Sequence, residues 1–138
     1  MKALTICQPY ASLIIGWHGM PEEIRKRVEN RSWIMSYRGP LLIHAGKSRA
    51  WLDSWCGRVP SDMPFGAIIG RVDVVGCVAK ERLGFRPGVR ERYPWIVDHI
   101  HAEGPYCIIV ENPVRFAEPI PYRGQQGVFD VPDDIVRG

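Results

Sequence analysis

Glycine and proline interrupt this chain at short intervals and limit the length of any regular element. The chain contains 14 glycines and 12 prolines, spread between short apolar runs. This spacing is typical of small proteins built from many short strands. The elements do not alternate strictly between strand and helix, which argues against a doubly wound parallel sheet. We therefore predict an α+β fold, mainly β, in which a small β-barrel carries short flanking helices.

Apolar periodicity and turn residues predict the individual elements. Strands are predicted at 3–7, 28–35, 40–45, 67–78, 106–111, 114–119 and 128–131, and short helices at 9–16, 49–56 and 94–101. Tyr37-Arg38-Gly39 is predicted to turn the chain between the second and third strands. Asn112-Pro113 is predicted to stop the strand at 106–111.

Length and composition predict one domain covering residues 1–138. The 46% hydrophobic content is enough to form a core in a chain of this size. No run reaches the roughly 18 apolar residues of a membrane span. The apolar start is interrupted by Gln8-Pro9-Tyr10, so we interpret it as a strand and helix of the mature fold. Widely separated cysteines favour a reduced, cytoplasmic location.

Neither the cysteines nor the histidines have the spacing of a metal site. The cysteines are Cys7, Cys56, Cys77 and Cys107, and they include no C-x-x-C pair. His99 and His101 fall in a predicted helix, where positions two apart diverge. We predict no metal and no cofactor.

The strongest charge signal lies between residues 25 and 49. This segment contains seven basic residues and one acid, Glu29, a net charge of +6 against +3 for the whole chain. Such an excess, interleaved with Trp33 and Tyr37, is typical of a site for an anionic ligand, nucleic acid first. The alternative is a solvated basic strand pair without a ligand. Trp33 and Tyr37 are candidate stacking surfaces for bases, with core packing as their alternative role.

The sequence HAGKS resembles the end of a phosphate-binding loop. Such a loop needs a glycine five positions before Gly46, where Leu41 stands, so we exclude a P-loop nucleotide triphosphatase. Lys47 and Ser48 stay candidates for one phosphate contact at the start of the helix predicted next. A plain surface lysine is the alternative for Lys47. His44 is either a hydrogen-bonded structural histidine or a ligand contact.

Lys26, Glu29 and Arg31 form a further pattern within the basic segment. On an extended strand Lys26 and Glu29 point to opposite faces, and a bend near Arg27 would let them meet. A lysine beside a carboxylate in a partly dry cleft can anchor a phosphate. Once burial removes its charge, it can act as a nucleophile or base. The alternative is a surface ion pair worth ~0–1 kcal/mol.

Five blocks in order resemble the activating signal cointegrator homology (ASCH) domain, a family of the pseudouridine synthase and archaeosine transglycosylase (PUA)-like superfamily. The blocks are LTICQPYASLI, KRVENRSW, YRGPLLIHAGK, FGAIIGRVDVVGCV and EGPYCIIVENP, within residues 3–131. The resemblance implies a PUA-like β-barrel with flanking helices and a cleft lined by a lysine–acid–basic motif. Lys26, Glu29 and Arg31 fill the positions of that motif. The insertion WHGMPEEIRK before it is longer than the family pattern.

The resemblance implies recognition of RNA or, in some members, DNA. Lys26, Arg31 and Lys47 would then contact phosphate or base edges, and Glu29 would bind a base or hold Lys26. The predicted ligand-binding set is Gln8, Tyr10, Lys26, Glu29, Arg31, Trp33, Tyr37, His44, Lys47 and Ser48. We predict a domain that recognises nucleic acid, RNA first, or a modified nucleoside.

Two alternatives stay open. Some small bacterial ASCH members are amidohydrolases that remove an acyl group from N4-acylated cytidine, and ribonucleases are also described in the family. In an enzyme of this kind Lys26 and Glu29 would be catalytic, although those amidohydrolases carry a threonine where this chain has Glu29. The weaker alternative is a protein-interaction module that meets an acidic partner through the basic face.

Overall fold

A computed structural model describes residues 1–136, in which strands dominate and two α-helices are short. The strands are β1 (Lys2–Ile6), β2 (Val28–Arg31), β3 (Gly39–Ala45), β4 (Ala67–Ala79), β5 (Tyr106–Pro121) and β6 (Val128–Asp130). The α-helices are α1 (Tyr10–Ile15) and α2 (Val89–Arg92), and 3-10 turns occupy Glu22–Ile24, Lys80–Arg82 and Asp133–Val136. The predicted class, α+β and mainly β with short helices, is confirmed. No helix within the described residues is long and apolar enough to cross a membrane.

The strands hydrogen-bond in the order β2-β5-β4-β3-β1-β6. β1 runs parallel to β3, with Ala3 opposite Leu42, and antiparallel to β6, with Ala3 opposite Phe129. β2 runs antiparallel to β5, with Glu29 opposite Ile108. A parallel pair needs a connection that returns the chain to the same end of the sheet. Between β1 and β3 the chain therefore passes through α1 and β2 before it returns.

The chain divides into two compact units. The first unit consists of Met1–Arg25, Pro40–Asp73 and the described residues from Asn112 onward; the second consists of Lys26–Gly39 and Val74–Glu111. Each unit has its own apolar cluster. The first includes Ala3, Leu42, Ile68, Phe129 and Val131, and the second includes Val28, Val78, Leu83, Ile96, Cys107 and Ile109. One domain for the whole chain stays a prediction.

Two predicted helices are wrong. Residues 49–56 contain turns at 50–54 and no helix. The four-residue spacing of Trp51 and Trp55 instead places both rings edge-on to Tyr10, each with a centroid distance of 6.3 Å. Residues 94–101 also form turns, because successive amide groups bond to carbonyls three residues back, as in Ile96 to Tyr93 at 3.0 Å. The α-helix in this region lies earlier, in α2.

Two strand predictions also need correction. β2 ends at Arg31 and pairs with β5, so it does not turn back onto β3. Asn112-Pro113 does not stop β5, which continues to Pro121. Asn112 adopts a φ of 53°, a conformation that asparagine tolerates better than most residues. Its amide donates to Asp73 at 2.9 Å, so the strand continues beyond the predicted stop.

Candidate functional site

The chain at the start of β2 brings Lys26 and Glu29 together. Lys26 follows the 3-10 turn Glu22–Ile24 and precedes β2, so it lies outside the regular strand. The Lys26 ammonium then donates to Glu29 Oε1 at 2.8 Å. Because Lys26 lies outside β2, strand alternation does not set its direction relative to Glu29.

Arg31 completes this cluster in the second unit. Its Nε and Nη2 donate to Glu29 Oε2 at 3.0 and 2.9 Å, so a cation occupies each carboxylate oxygen. The side chains of Lys26 and Glu29 are 5% and 9% exposed, whereas 24% of Arg31 is exposed. Two cations and one anion leave a net charge of +1, and Arg31 is the member that reaches solvent most.

His99 lies beside this cluster and is held neutral. Burial is the main cause that lowers its pKa to about 4, and His101, Arg27 and Lys26 lower it further through their charges. Its Nε2 accepts the backbone N–H of Arg27 at 3.0 Å, as a neutral imidazole can. The His99 and His101 ring centroids are 5.5 Å apart, so the argument that a helix separates them was wrong. Residues 1–136 contain no group of three His, Cys, Asp or Glu side chains placed to hold a metal.

Sequence reasoning missed Asn30. Its amide nitrogen donates to the His101 carbonyl at 2.7 Å. Its amide oxygen accepts the backbone N–H groups of Glu103 and Gly104 at 3.0 and 2.8 Å. Asn30 therefore ties β2, which carries Glu29 and Arg31, to the segment before β5. An asparagine inside a short strand was the only signal in the sequence.

The first unit contains the other predicted residues from the N-terminal region. Gln8 is fully buried, its amide nitrogen donating to the Pro64 carbonyl at 2.8 Å and its oxygen accepting the Ser12 N–H at 2.9 Å. Both ends of the Gln8 amide are therefore used to fix the start of α1. Tyr10 packs against two tryptophans, as described above.

Lys47 and Ser48 do not precede a helix, so the predicted helix start is wrong, while their contact with a phosphate stays a prediction. Ser48 is exposed, and its hydroxyl accepts the Ala50 N–H at 3.3 Å. Lys47 is exposed as well. Trp33 and Tyr37 are half-buried in the second unit, and their stacking role stays a prediction.

His44 is 2% exposed and hydrogen-bonded at both ring nitrogens. Nε2 lies 2.6 Å from the Tyr122 carbonyl oxygen and Nδ1 lies 3.1 Å from Thr5 Oγ1. The predicted hydrogen-bonded histidine is therefore present. His44 and Lys47 also line a cavity together with residues 123–126, which the sequence did not indicate.

The chain is similar in sequence to one protein known from two mammals. No family model matches the chain. It is 27% identical over 148 residues to Activating signal cointegrator 1 of Homo sapiens and 26% identical to that of Mus musculus, with 98% of this chain covered. The chain spans only 23% of the length of these relatives.

Solved structures agree with the fold. ASCH from Zymomonas mobilis has a TM-score of 0.56 and 15% identity, covering 99% of this chain and 90% of that one. A mutant of the Zymomonas mobilis protein has a TM-score of 0.55 and 14% identity, covering 99% and 93%. Likenesses at this identity show the fold, a PUA-like small β-barrel with flanking helices. Together with the sequence similarity to Activating signal cointegrator 1, they support assignment of the chain to the ASCH domain family.

Proposed function

We propose that this ASCH domain recognises nucleic acid, with single-stranded RNA as the first ligand to test. The observation that carries the proposal is a set of cations left without an acidic partner. Within residues 1–136, Arg27, Arg38, Lys47 and Arg49 form no ion pair with a carboxylate. A phosphate backbone supplies the anions that such cations bind.

Two of these arginines lie against aromatic rings. The guanidinium carbon of Arg27 is 3.9 Å from the centre of the Trp95 ring, and that of Arg49 is 4.1 Å from the centre of the Phe65 ring. The ring restricts the orientation of each guanidinium group. A planar cation held in this way offers one face for stacking on a base and edge donors for phosphate.

The other three cations of the segment are paired with a carboxylate, whereas Arg38 donates to the backbone carbonyls of Met35 and Tyr37 at 2.6 and 3.0 Å. Arg25 bonds to Glu22 at 2.8 Å and to the Ile14 carbonyl at 3.0 Å, and Lys26 and Arg31 bind Glu29. We therefore assign phosphate contact first to the four cations without carboxylate partners. Arg31 is the next candidate for a phosphate contact, because part of its side chain is exposed. Contact by Lys26, which the family resemblance implies, stays a prediction.

Fluorescence anisotropy with a labelled single-stranded RNA of about 12 nucleotides tests the proposal. We expect affinity to fall steeply as salt rises from about 50 to about 200 mM. Arg27→Ala and Arg49→Ala should each weaken binding and reduce the salt slope by about one. Arg71→Ala and Arg90→Ala remove the same charge at exposed positions outside the segment and serve as matched controls.

Two results would contradict the proposal. Wild-type protein that binds neither RNA nor the matched DNA would exclude nucleic-acid recognition of this kind. Equal weakening in all four variants would mean that net charge, and not the basic segment, determines binding. A matched DNA strand and a neutral nucleoside in the same assay separate RNA, DNA and free nucleoside as ligands.

The amidohydrolase, protein-interaction and cytoplasmic assignments stay predictions. For the amidohydrolase, Lys26 would have to leave Glu29 before its amine could react.

A further inference from the structure

A cavity of about 430 Å³ in the first unit lies where β1 and β3 end. Thr5 and His44 contribute from the two strands, Gly46 and Lys47 follow β3, and residues 123–126 cross from β5 towards β6. Parallel neighbours such as β1 and β3 present their carboxyl ends at one edge of the sheet. The cavity therefore has walls from three chain segments that are distant in sequence.

The floor of this cavity is a fixed polar pair. A backbone carbonyl only accepts, so His44 Nε2 donates to the Tyr122 oxygen. In the neutral ring Nδ1 then accepts from the Thr5 hydroxyl. His44 is almost completely buried, so these bonds hold its ring in one orientation.

The rim carries two cations and no acid. Lys47 and Arg123 line the cavity and are exposed, and neither Asp nor Glu is among the lining residues. The aliphatic chain of Lys47 lies along the backbone of Gly66, where a Cβ would be 2.9 Å from Lys47 Cε. Glycine at this position lets the lysine chain lie close to the backbone. The result is a rim with a charge of +2.

The loop over the cavity supplies neutral hydrogen-bonding groups. Gln125 and Gln126 each offer an amide donor and acceptor. Gly124 lies so close to the floor that a Cβ there would be 2.8 Å from Thr5 Oγ1 and 2.9 Å from His44 Cε1. Only a glycine lets the loop approach the Thr5–His44 pair without displacement.

We propose that this cavity binds one nucleotide of RNA, an inference that rests on the proposed function. Lys47 and Arg123 bind the phosphate, and Gln125 and Gln126 bind the sugar or base. The volume falls within the range of small-ligand sites, roughly 300–1,000 Å³. It is larger than a bare phosphate needs, which favours a whole nucleotide.

A larger cavity of the first unit, about 590 Å³, is a weaker candidate for the same ligand. Its lining includes Asp62 as well as Arg58 and Arg115, together with three prolines. The carboxylate would oppose a phosphate there.

A matched pair of double variants tests the inference in the RNA anisotropy assay. Lys47→Ala/Arg123→Ala removes both rim cations, and Arg71→Ala/Arg90→Ala removes two exposed cations elsewhere. We expect the rim variant to lose about tenfold or more in affinity, as expected for two charge-assisted contacts. The control should lose less than about threefold. Equal losses would overturn the inference while leaving nucleic-acid binding intact.

NMR titration with cytidine 5′-monophosphate separates the two hypotheses. Shifts at the amides of Thr5, Gly46 and Gly124 in wild type, lost in the rim variant and much weaker with cytidine, support the nucleotide site even if RNA does not bind. Chemical-shift changes that persist in the rim variant would overturn the nucleotide site, even if RNA binds. RNAs with and without a 5′-phosphate, compared in the anisotropy assay, distinguish a terminal from an internal nucleotide.

Gly124→Ala provides a steric check that leaves every charge in place. We expect it to weaken monophosphate binding while Lys47→Arg retains most of it, because arginine keeps the cation. Thermal denaturation of each variant shows whether the fold is kept. A folded Gly124→Ala protein with wild-type monophosphate affinity would contradict the role of the loop.

Discussion

The Lys26 ammonium and the Glu29 carboxylate meet at 2.8 Å, with only 5% and 9% of their side chains exposed. Burial removes water that would otherwise solvate each charge, so either partner alone would be costly. Arg31 shares the carboxylate from its other oxygen. The stability of the second unit therefore depends on the carboxylate more than on either cation.

Replacing Glu29 with glutamine should destabilise the protein by about 3 kcal/mol, since it leaves Lys26 buried without its anion. Lys26→Met should lower the free energy of unfolding by less, because Glu29 keeps its hydrogen bonds from Arg31. Urea unfolding measures both. Lys2→Met, which removes the exposed partner of Asp130, is the control and should change stability little. A larger loss for Lys26→Met than for Glu29→Gln would contradict the central role of the carboxylate.

Acid should destabilise the protein through His99. Its pKa is near 6.5 when unfolded and about 4 in the folded protein, mainly because of burial. Between these values the unfolded chain binds more protons, so stability falls as pH decreases. The stability that neutral His99 contributes is complete above about pH 6.5 and is lost as the pH falls to about 4.

His99→Gln tests this pH dependence. Glutamine keeps an acceptor for the Arg27 N–H but does not titrate, so the variant should lose less stability than wild type from pH 6.5 to pH 4. Thermal denaturation across this interval is the measurement. Parallel curves for the two proteins would assign the acid sensitivity to other groups.

Asn30→Ala should destabilise the protein by about 2–3 kcal/mol, because it removes three hydrogen bonds to backbone groups at about 1 kcal/mol each and a weaker fourth one from Cys107 Sγ at 3.7 Å. Asn30→Asp keeps the acceptor for Glu103 and Gly104 and loses only the donor to His101. Near neutral pH, Asn30→Asp should therefore lose less stability than Asn30→Ala. Denaturant unfolding ranks the variants, and equal losses would mean that the donor bond accounts for the whole effect.

Local signals made part of the fold predictable. Apolar alternation indicated β1, β3 and β4, and the proline before α1 indicated that helix. Lys26 and Glu29 could be paired from the sequence only on the condition that the chain departs from a regular strand near Arg27. Residues 49–56 were mistaken for a helix because Trp51 and Trp55 have helical spacing, although both contact Tyr10.

Long-range contacts could not be predicted. His44 binds Tyr122 and Arg27 binds His99, contacts that join positions 78 and 72 residues apart. Gly124 likewise approaches Thr5 from the far end of the chain. No local pattern reports which strand pairs with which, so the cavity beside Lys47 could not be foreseen. The pairing of β2 with β5 was missed for the same reason.

The thiols should react in the order of their exposure. Burial raises the pKa of the Cys107 thiol, which decreases its reactive thiolate fraction, whereas Cys56 is exposed. Iodoacetamide at neutral pH should label Cys56 first and Cys107 only after unfolding. Mass spectrometry of the peptides measures the order, and equally fast labelling of Cys107 in folded protein would contradict its burial.

Hydrolysis of N4-acylated cytidine should not occur. A lysine must present an unprotonated amine to attack a carbonyl or accept a proton, yet Lys26 donates to Glu29 at 2.8 Å as an ammonium. Arg31 donates to the same carboxylate, so two cations lie against Glu29. Liquid chromatography of acylated cytidines after incubation with wild type and Lys26→Ala is the measurement. Turnover by wild type that disappears in a folded Lys26→Ala protein would contradict this prediction and establish the enzyme alternative, with Lys26 as its essential residue.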